Sequence, residues 1–168
     1  PTGAKLLYAT YFDAFLAAVS IDSAGNIWVA GAGNPNSPLV NPIQSASTPC
    51  TLSYGCYGYI AELSPQGSKL LLATRVGGPS DSITQMAFGP GGSIVFAGGA
   101  LVPDVPVTAN AFQKEVSASK CPECSIPFIG ALTPGTTGLA FLTYLGGSGQ
   151  DNLNGLAVDS TGAVYVAG

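Results

Sequence analysis

Histidine is absent from the 168-residue chain. With it go the side chain most often used as a general base near neutral pH and the commonest transition-metal ligand. Ser-His-Asp and Cys-His nucleophilic chemistry are thereby excluded. Charge is scarce too: Asp, Glu, Lys and Arg make up only 8% of residues, where an ordinary soluble domain carries about 25%. The five basic residues, Lys5, Lys69, Arg75, Lys114 and Lys120, are scattered, and the net charge is −4. No cationic stripe exists to neutralise phosphates, so nucleic acid is not an expected partner. No apolar run approaches the roughly 18 residues of a membrane-spanning helix, so no transmembrane segment is expected. The opening residues, Pro1-Thr2-Gly3-Ala4-Lys5, do not form a signal peptide. No window places apolar residues at i, i+3, i+4 and i+7 over three turns, which predicts almost no helix.

What the chain does contain is repetition. Ile21-Asp22-Ser23-Ala24-Gly25-Asn26-Ile27-Trp28-Val29-Ala30-Gly31 is echoed by Phe88-Gly89-Pro90-Gly91-Gly92-Ser93-Ile94-Val95-Phe96-Ala97-Gly98 and by Val158-Asp159-Ser160-Thr161-Gly162-Ala163-Val164-Tyr165-Val166-Ala167-Gly168, without a gap and roughly 70 residues apart. Each phrase is a pair of apolar arms around a Gly-bearing loop, the pattern of a β-hairpin. The second arm is apolar at nearly every position, which fits a strand buried on both faces. A further phrase at 65–75, PQGSKLLLATR, resembles both 1–11 and 134–144, and short apolar runs at 58–63 and 127–132 precede the two later copies.

Labelled a to d, the strands read as strand d of a preceding blade at 1–11, a blade at 16–75, a blade at 82–144, and the first two strands of a further blade at 153–168. The expected fold is all-β: β-propeller-type blades of four antiparallel strands, two complete and others partial, with 1–168 forming part of one propeller. The small residues Ala30, Gly31, Ala97, Gly98, Ala167 and Gly168 are expected where blades converge. A propeller needs about four to eight blades. The expected partners are therefore further blades of the same polypeptide or neighbouring copies, as a homo-oligomer or polymer.

The four cysteines fall in two close pairs, Cys50 with Cys56 and Cys121 with Cys124, each just before the third strand. Zinc would need a second knuckle of similar spacing, and a redox thiol would need a helix start in a βαβ unit. Two local disulfides pinning long connections are expected, as suits an oxidising compartment. Asp81 and Asp151 occupy the same repeat position, with Asp13 one residue out of step. Calcium loops bring several acidic oxygens together, whereas each of these loops offers one. Asp81 and Asp151 are therefore expected to accept backbone N–H groups and tether neighbouring blades. Asp22 and Asp159 read as hairpin residues. Tyr59 and Trp28 are expected in the core, with Tyr54 and Tyr57 nearer to water in the cysteine loop. Glu62 and Glu123 are the nearest approach to an acid pair, and nothing places them on one site.

The phrases Thr143-Tyr144-Leu145-Gly146-Gly147-Ser148-Gly149-Gln150-Asp151 and Leu156 to Gly168, together with Ala111-Phe112-Gln113 and Phe128-Ile129-Gly130-Ala131-Leu132, resemble the bacterial β-propeller repeats called SBBP, found in large exported proteins. The resemblance spans the chain. It is weakest at Tyr11-Phe12-Asp13, where the Gly-Gly is missing, and at Gly89-Pro90, where Asp-Ser would stand. It implies a secreted or cell-surface propeller and brings no catalytic residue with it. The functional expectation is a non-catalytic exported repeat module with a structural, adhesive or assembly role and no cofactor. A carbohydrate- or protein-binding propeller with a glycan ligand is the alternative, and a propeller lyase or hydrolase the remoter one.

Overall fold

The computed structural model describes residues 4, 6, 8–45, 50, 55–116, 125–147 and 149–168. These residues build three antiparallel sheets. The first takes β1 (Ala14–Ile21), β2 (Ile27–Gly33), β3 (Tyr57–Leu63) and β4 (Leu70–Val76) in sequence order, and the second takes β5 (Ser82–Phe88), β6 (Ile94–Ala100), β7 (Ile126–Leu132) and β8 (Leu139–Tyr144) likewise. A third sheet consists of β9 (Gly155–Val158) and β10 (Val164–Ala167). The helical structure among the described residues is one 3-10 turn, Pro90–Gly92, inside the β5–β6 hairpin.

The hairpin loops form where the sequence supplies both a left-handed residue and a local acceptor. Gly25 and Gly162 take φ of 85° and 90°, a conformation that costs glycine nothing. Asp22 Oδ1 accepts the N–H groups of Ala24 and Asn26 at 2.9 and 2.8 Å, and Asp159 Oδ1 accepts those of Thr161 and Ala163 at 2.8 and 3.0 Å. Both loops thereby satisfy donors that would otherwise be orphaned at the turn.

Strands β1 and β5 are bulged at the same repeat position, between Leu16 and Ala18 and between Ile83 and Gln85. The bulge explains a glycine. A Cβ on Gly31 would collide with the carbonyl oxygen of Phe15, one on Gly98 with that of Ser82, and one on Gly168 with that of Asn152. Gly31 and Gly98 are therefore required by crowding inside their own sheet, where the bulged first strand lies over them, while Ala30 and Ala97 beside them pack in the clusters between sheets.

The sheets stack face on face. Trp28, Ala30, Ile60 and Val76 of the first sheet share a buried cluster with Ile83, Ile94, Phe96 and Phe128 of the second. The opposite face of the second sheet buries Val95, Ala97, Ile129 and Ala131 against Leu156, Val158 and Val164 of the third. Fully burying a side chain of the Val, Ile or Phe kind is worth about 1.5–3 kcal/mol, so these interfaces dominate the cohesion of the stack. A third cluster on the far face of the first sheet, around Val29, Tyr59 and Ala61, is covered in part by Phe12 and Val40.

Residues 1–3, 5 and 7 of the expected strand d at 1–11 lie outside the described residues, and the described ones among 1–11 form no strand. An outer strand is defined by the ladder it forms with a neighbour, and no described strand runs beside this one. Tyr8 instead lies against Gly67, where a Cβ would strike its ring.

The long second-to-third connections are not free excursions. In both sheets the connection returns along the outer strand and pairs with it. Val40 and Ala73 exchange backbone hydrogen bonds of 3.0 and 2.8 Å, and Thr108 N–H donates to Leu142 O at 3.0 Å. Asn41 Nδ2 donates to Leu71 O and Asn110 Nδ2 to Ala140 O, each at 3.2 Å. Thr74 Oγ1 receives the N–H of Gln44 at 3.0 Å, as Thr143 Oγ1 receives that of Gln113 at 2.8 Å.

Candidate functional site

The groups with chemical potential gather at the junctions where one sheet hands the chain to the next. At the first junction, Gln44 makes a reciprocal amide pair with Gly77, Nε2 donating to Gly77 O at 2.6 Å while Oε1 accepts Gly77 N–H at 3.2 Å. Gln113 does the same with Gly146, at 3.1 Å in both directions. This pair of glutamines is a repeated structural device. The signal for it lay in the matching Pro42-Ile43-Gln44 and Ala111-Phe112-Gln113, of which only the second stands out by resemblance.

Asp81 follows four residues after Gly77 and is fully buried. Its Oδ2 accepts Gly78 N–H at 2.6 Å, while its Oδ1 has no partner. The connection after β6 brings Asp104 against the other side of Gly78, where a Cβ would strike the Asp104 carboxylate. Burial is the main force pushing the Asp81 carboxyl up to about 8; the Gly78 hydrogen bond opposes it and the Asp104 charge reinforces it. Asp81 therefore holds its proton at neutral pH, and its acid form can donate where a carboxylate could not. Val105, next to Asp104, donates its N–H to the Tyr144 hydroxyl at 2.8 Å. Burial first, and the nearby Asp81 and Asp104 charges, raise that phenol to about 12.

Asp151 holds the corresponding place at the next junction, with Oδ2 accepting Gly147 N–H at 2.7 Å. It borders an open groove of about 530 Å³ shared with Phe112, Gln113 and Asn152. The bonds of Asp81 and Asp151 to backbone N–H groups lie within their own junction loops. Asp13 accepts Asn34 Nδ2 at 2.7 Å. Each of the three aspartates thus has its own local partner. Among the described residues, no three His, Cys, Asp or Glu side chains come together as a metal site would require.

Cys50 and Cys56 form a disulfide with a Cα–Cα separation of 5.8 Å. Cys121 and Cys124 lie outside the described residues, as do Tyr54 and Glu123. Beneath the disulfide Tyr57 is buried, not exposed as its place in the loop suggests. Its hydroxyl accepts Cys50 N–H at 3.1 Å, and the Arg75 guanidinium sits 4.6 Å over its ring. Arg75 also donates to Pro35 O at 2.8 Å, so one cation clamps both ends of the connection. Tyr59 is wholly buried and donates to Pro38 O at 2.8 Å.

At the opposite end of the first sheet, Asn26 joins the two nearest acids, donating through Nδ2 to Asp22 Oδ2 at 3.0 Å and to Glu62 Oε1 at 2.8 Å. Burial raises the Glu62 carboxyl, and the Asp22 charge adds to that. The remaining capacity of Asp22 goes to an aromatic: Trp28 Nε1 donates to its Oδ2 at 3.2 Å. The third sheet repeats this bond, with the Tyr165 hydroxyl donating to Asp159 Oδ2 at 3.0 Å. The Thr161 hydroxyl is the main group holding Asp159 down to about 2.

These arrangements position loops and aromatic side chains through hydrogen bonds that are internal to the chain. No protein-family model matches this chain, and no curated protein matches it.

Proposed function

We propose that the chain is a section of a β-propeller-type repeat protein that works outside the cell as a non-catalytic structural or adhesive module. The observation that carries this reading is the recurrence of orientation. The face that presents Trp28 in the first sheet is the face that presents Val95 in the second, and each packs on the sheet that follows it in the chain. Successive sheets stacked with one polarity are the elements from which a propeller is assembled. The Cys50–Cys56 disulfide suits an oxidising compartment. The low charge suits a surface that meets its own kind, and the resemblance to SBBP repeats points the same way. Asp22, Asp151 and Asp159 accept backbone N–H groups of their own loops.

The test is immunogold electron microscopy of source cells with an antibody raised against this chain. Label on the exterior, over extended or ring-shaped material, is the expected result. Label confined to the cell interior overturns the reading.

A further inference from the structure

The connection that crosses the junction between the first and second sheets carries an acid where its counterpart carries donors. After β2, Asn34 and Ser37 serve the junction aspartate Asp13: Asn34 Nδ2 donates to its Oδ1 at 2.7 Å, and the Ser37 hydroxyl donates to its backbone carbonyl. The matching places after β6 are Leu101 and Asp104. A leucine side chain has nothing to donate, and a carboxylate can only accept. Asp81 thus meets a second acid instead of a donor, and its Oδ1, buried with the rest of the side chain, has no partner.

The two carboxyl groups meet at Gly78. Asp81 Oδ2 accepts its N–H at 2.6 Å, and the Asp104 carboxylate stands where a Cβ would be. Among the described residues, Asp104 is the charged group that bears on Asp81, and the Tyr144 phenol is the titratable neighbour of both. What neutralises the pair is a proton on Asp81. With it, one negative charge lies at Gly78; without it there are two, one of them wholly out of water.

The backbone on which that repulsion acts is held at few points. Between Ala100, which ends β6, and Thr108, whose N–H donates to Leu142 O at 3.0 Å, residues 101–104 are exposed. The buried residue of the stretch is Val105, which packs in the cluster between the two sheets and donates its N–H to the Tyr144 hydroxyl at 2.8 Å. Asp104 precedes it directly, so a force on that carboxylate is transmitted to Val105.

We propose that residues 101–107 form a pH-sensitive strap, seated over the junction while Asp81 is neutral and lifted when Asp81 ionises opposite Asp104. The carboxylate that moves is that of Asp104, because Asp81 is fixed between β4 and β5. Lifting withdraws Val105 from the cluster and frees the Tyr144 hydroxyl. Thr108 stays pinned to β8, so the motion ends there. The strap stands independently of the role proposed for the module.

The experiment is methyl NMR on the whole 168-residue chain from about pH 6 to about pH 10, which brackets the loss of the Asp81 proton near 8. Wild type is compared with Asp81→Asn, which cannot ionise, and with Asp104→Ser, which installs the residue found at the matching place in the first sheet. The Val105 methyls report the strap, and those of Leu142, fully buried in β8, report the sheet beneath it. In wild type the Val105 resonances should move to random-coil positions with a midpoint near pH 8 while Leu142 holds. In both variants Val105 should keep its low-pH position throughout, and Asp104→Ser carries the test alone if Asp81→Asn does not fold. A wild-type Val105 that never moves overturns the proposal, as does a Leu142 that moves with it, since the sheet itself would then be unfolding. A Val105 that titrates in Asp104→Ser as in wild type also overturns it, because the second charge would not be the cause. So does a wild-type midpoint that differs between calcium and EDTA, which would make a cation, not a proton, the neutralising partner.

Discussion

The first and second sheets are two versions of one design under different cover. Strand order, bulge position, the glycine beneath the bulge and the glutamine clasp at the outer strand are common to both. What differs is the face turned away from the following sheet, buried throughout in the second and open along the first strand, at Leu16, Val19 and Ile21, in the first. The comparison separates two layers of information. Geometry within a sheet is written into each repeat, whereas burial is conferred by whatever stands next to it.

If that separation is right, damage within the sheet should be equally severe in both copies. Gly31→Ala and Gly98→Ala each drive a Cβ into a backbone carbonyl of the bulged strand. Each should cost on the order of 4 kcal/mol or prevent folding, measured by urea denaturation. Gly135→Ala is the control: its φ of 81° carries a penalty, but nothing stands within 4 Å of the added carbon, and about 1 kcal/mol is expected. A mild Gly31→Ala beside a severe Gly98→Ala would break the comparison.

The junction between the sheets has a pH dependence of its own. Folded, Asp81 keeps its proton to about pH 8, while its ordinary value is 3.8. Between these limits the folded chain binds a proton that the unfolded chain has released, so stability falls as pH rises from about 4 to 8 and levels off above. The slope is up to about 1.4 kcal/mol per pH unit. Asp81→Asn can still accept Gly78 N–H and cannot ionise, so denaturation midpoints across this range should lose that slope. A variant that keeps the wild-type profile would show that Asp81 is charged in the fold.

The smallest effect sharpens the comparison most. Ile27 and Ile94 are the same residue at the same repeat position, half-buried and fully buried respectively. Ile94→Ala should cost about 3 kcal/mol and Ile27→Ala about 1 kcal/mol in dilute monomer. Equal losses would mean that the open face is already covered.

Much of the sheet architecture was legible because its signals are local. The second blade is expected to open at 82, where β5 (Ser82–Phe88) begins, and the thrice-told hairpin phrase marks three observed hairpins. The reason for the glycine at the end of each second strand was not legible, since a bulge is a register event between two strands and leaves no mark on either alone. The connection along β4 reads as loop because Pro38, Asn41 and Pro42 are turn formers, yet their neighbours pair with the outer strand. Asp81 stood out by its repeat position, whereas Asp104 did not: its role depends on a loop folding back over Gly78, and the first sheet has Ser37 at the matching place. Tyr57 was misjudged for a similar reason, since its burial follows from Arg75 and the disulfide closing over it.

The glutamine clasps and the returning connections have one last consequence, for the edges of the two four-stranded sheets. An outer strand whose amides and carbonyls are engaged by its own chain offers no template for edge-to-edge zipping, the route by which β-rich proteins convert to amyloid. Lateral recruitment at the rims of the two four-stranded sheets is closed, whereas β10 of the third sheet pairs with β9 alone among the described strands. A polypeptide so poor in repelling charge is in this way protected at those rims by its own backbone rather than by like charges.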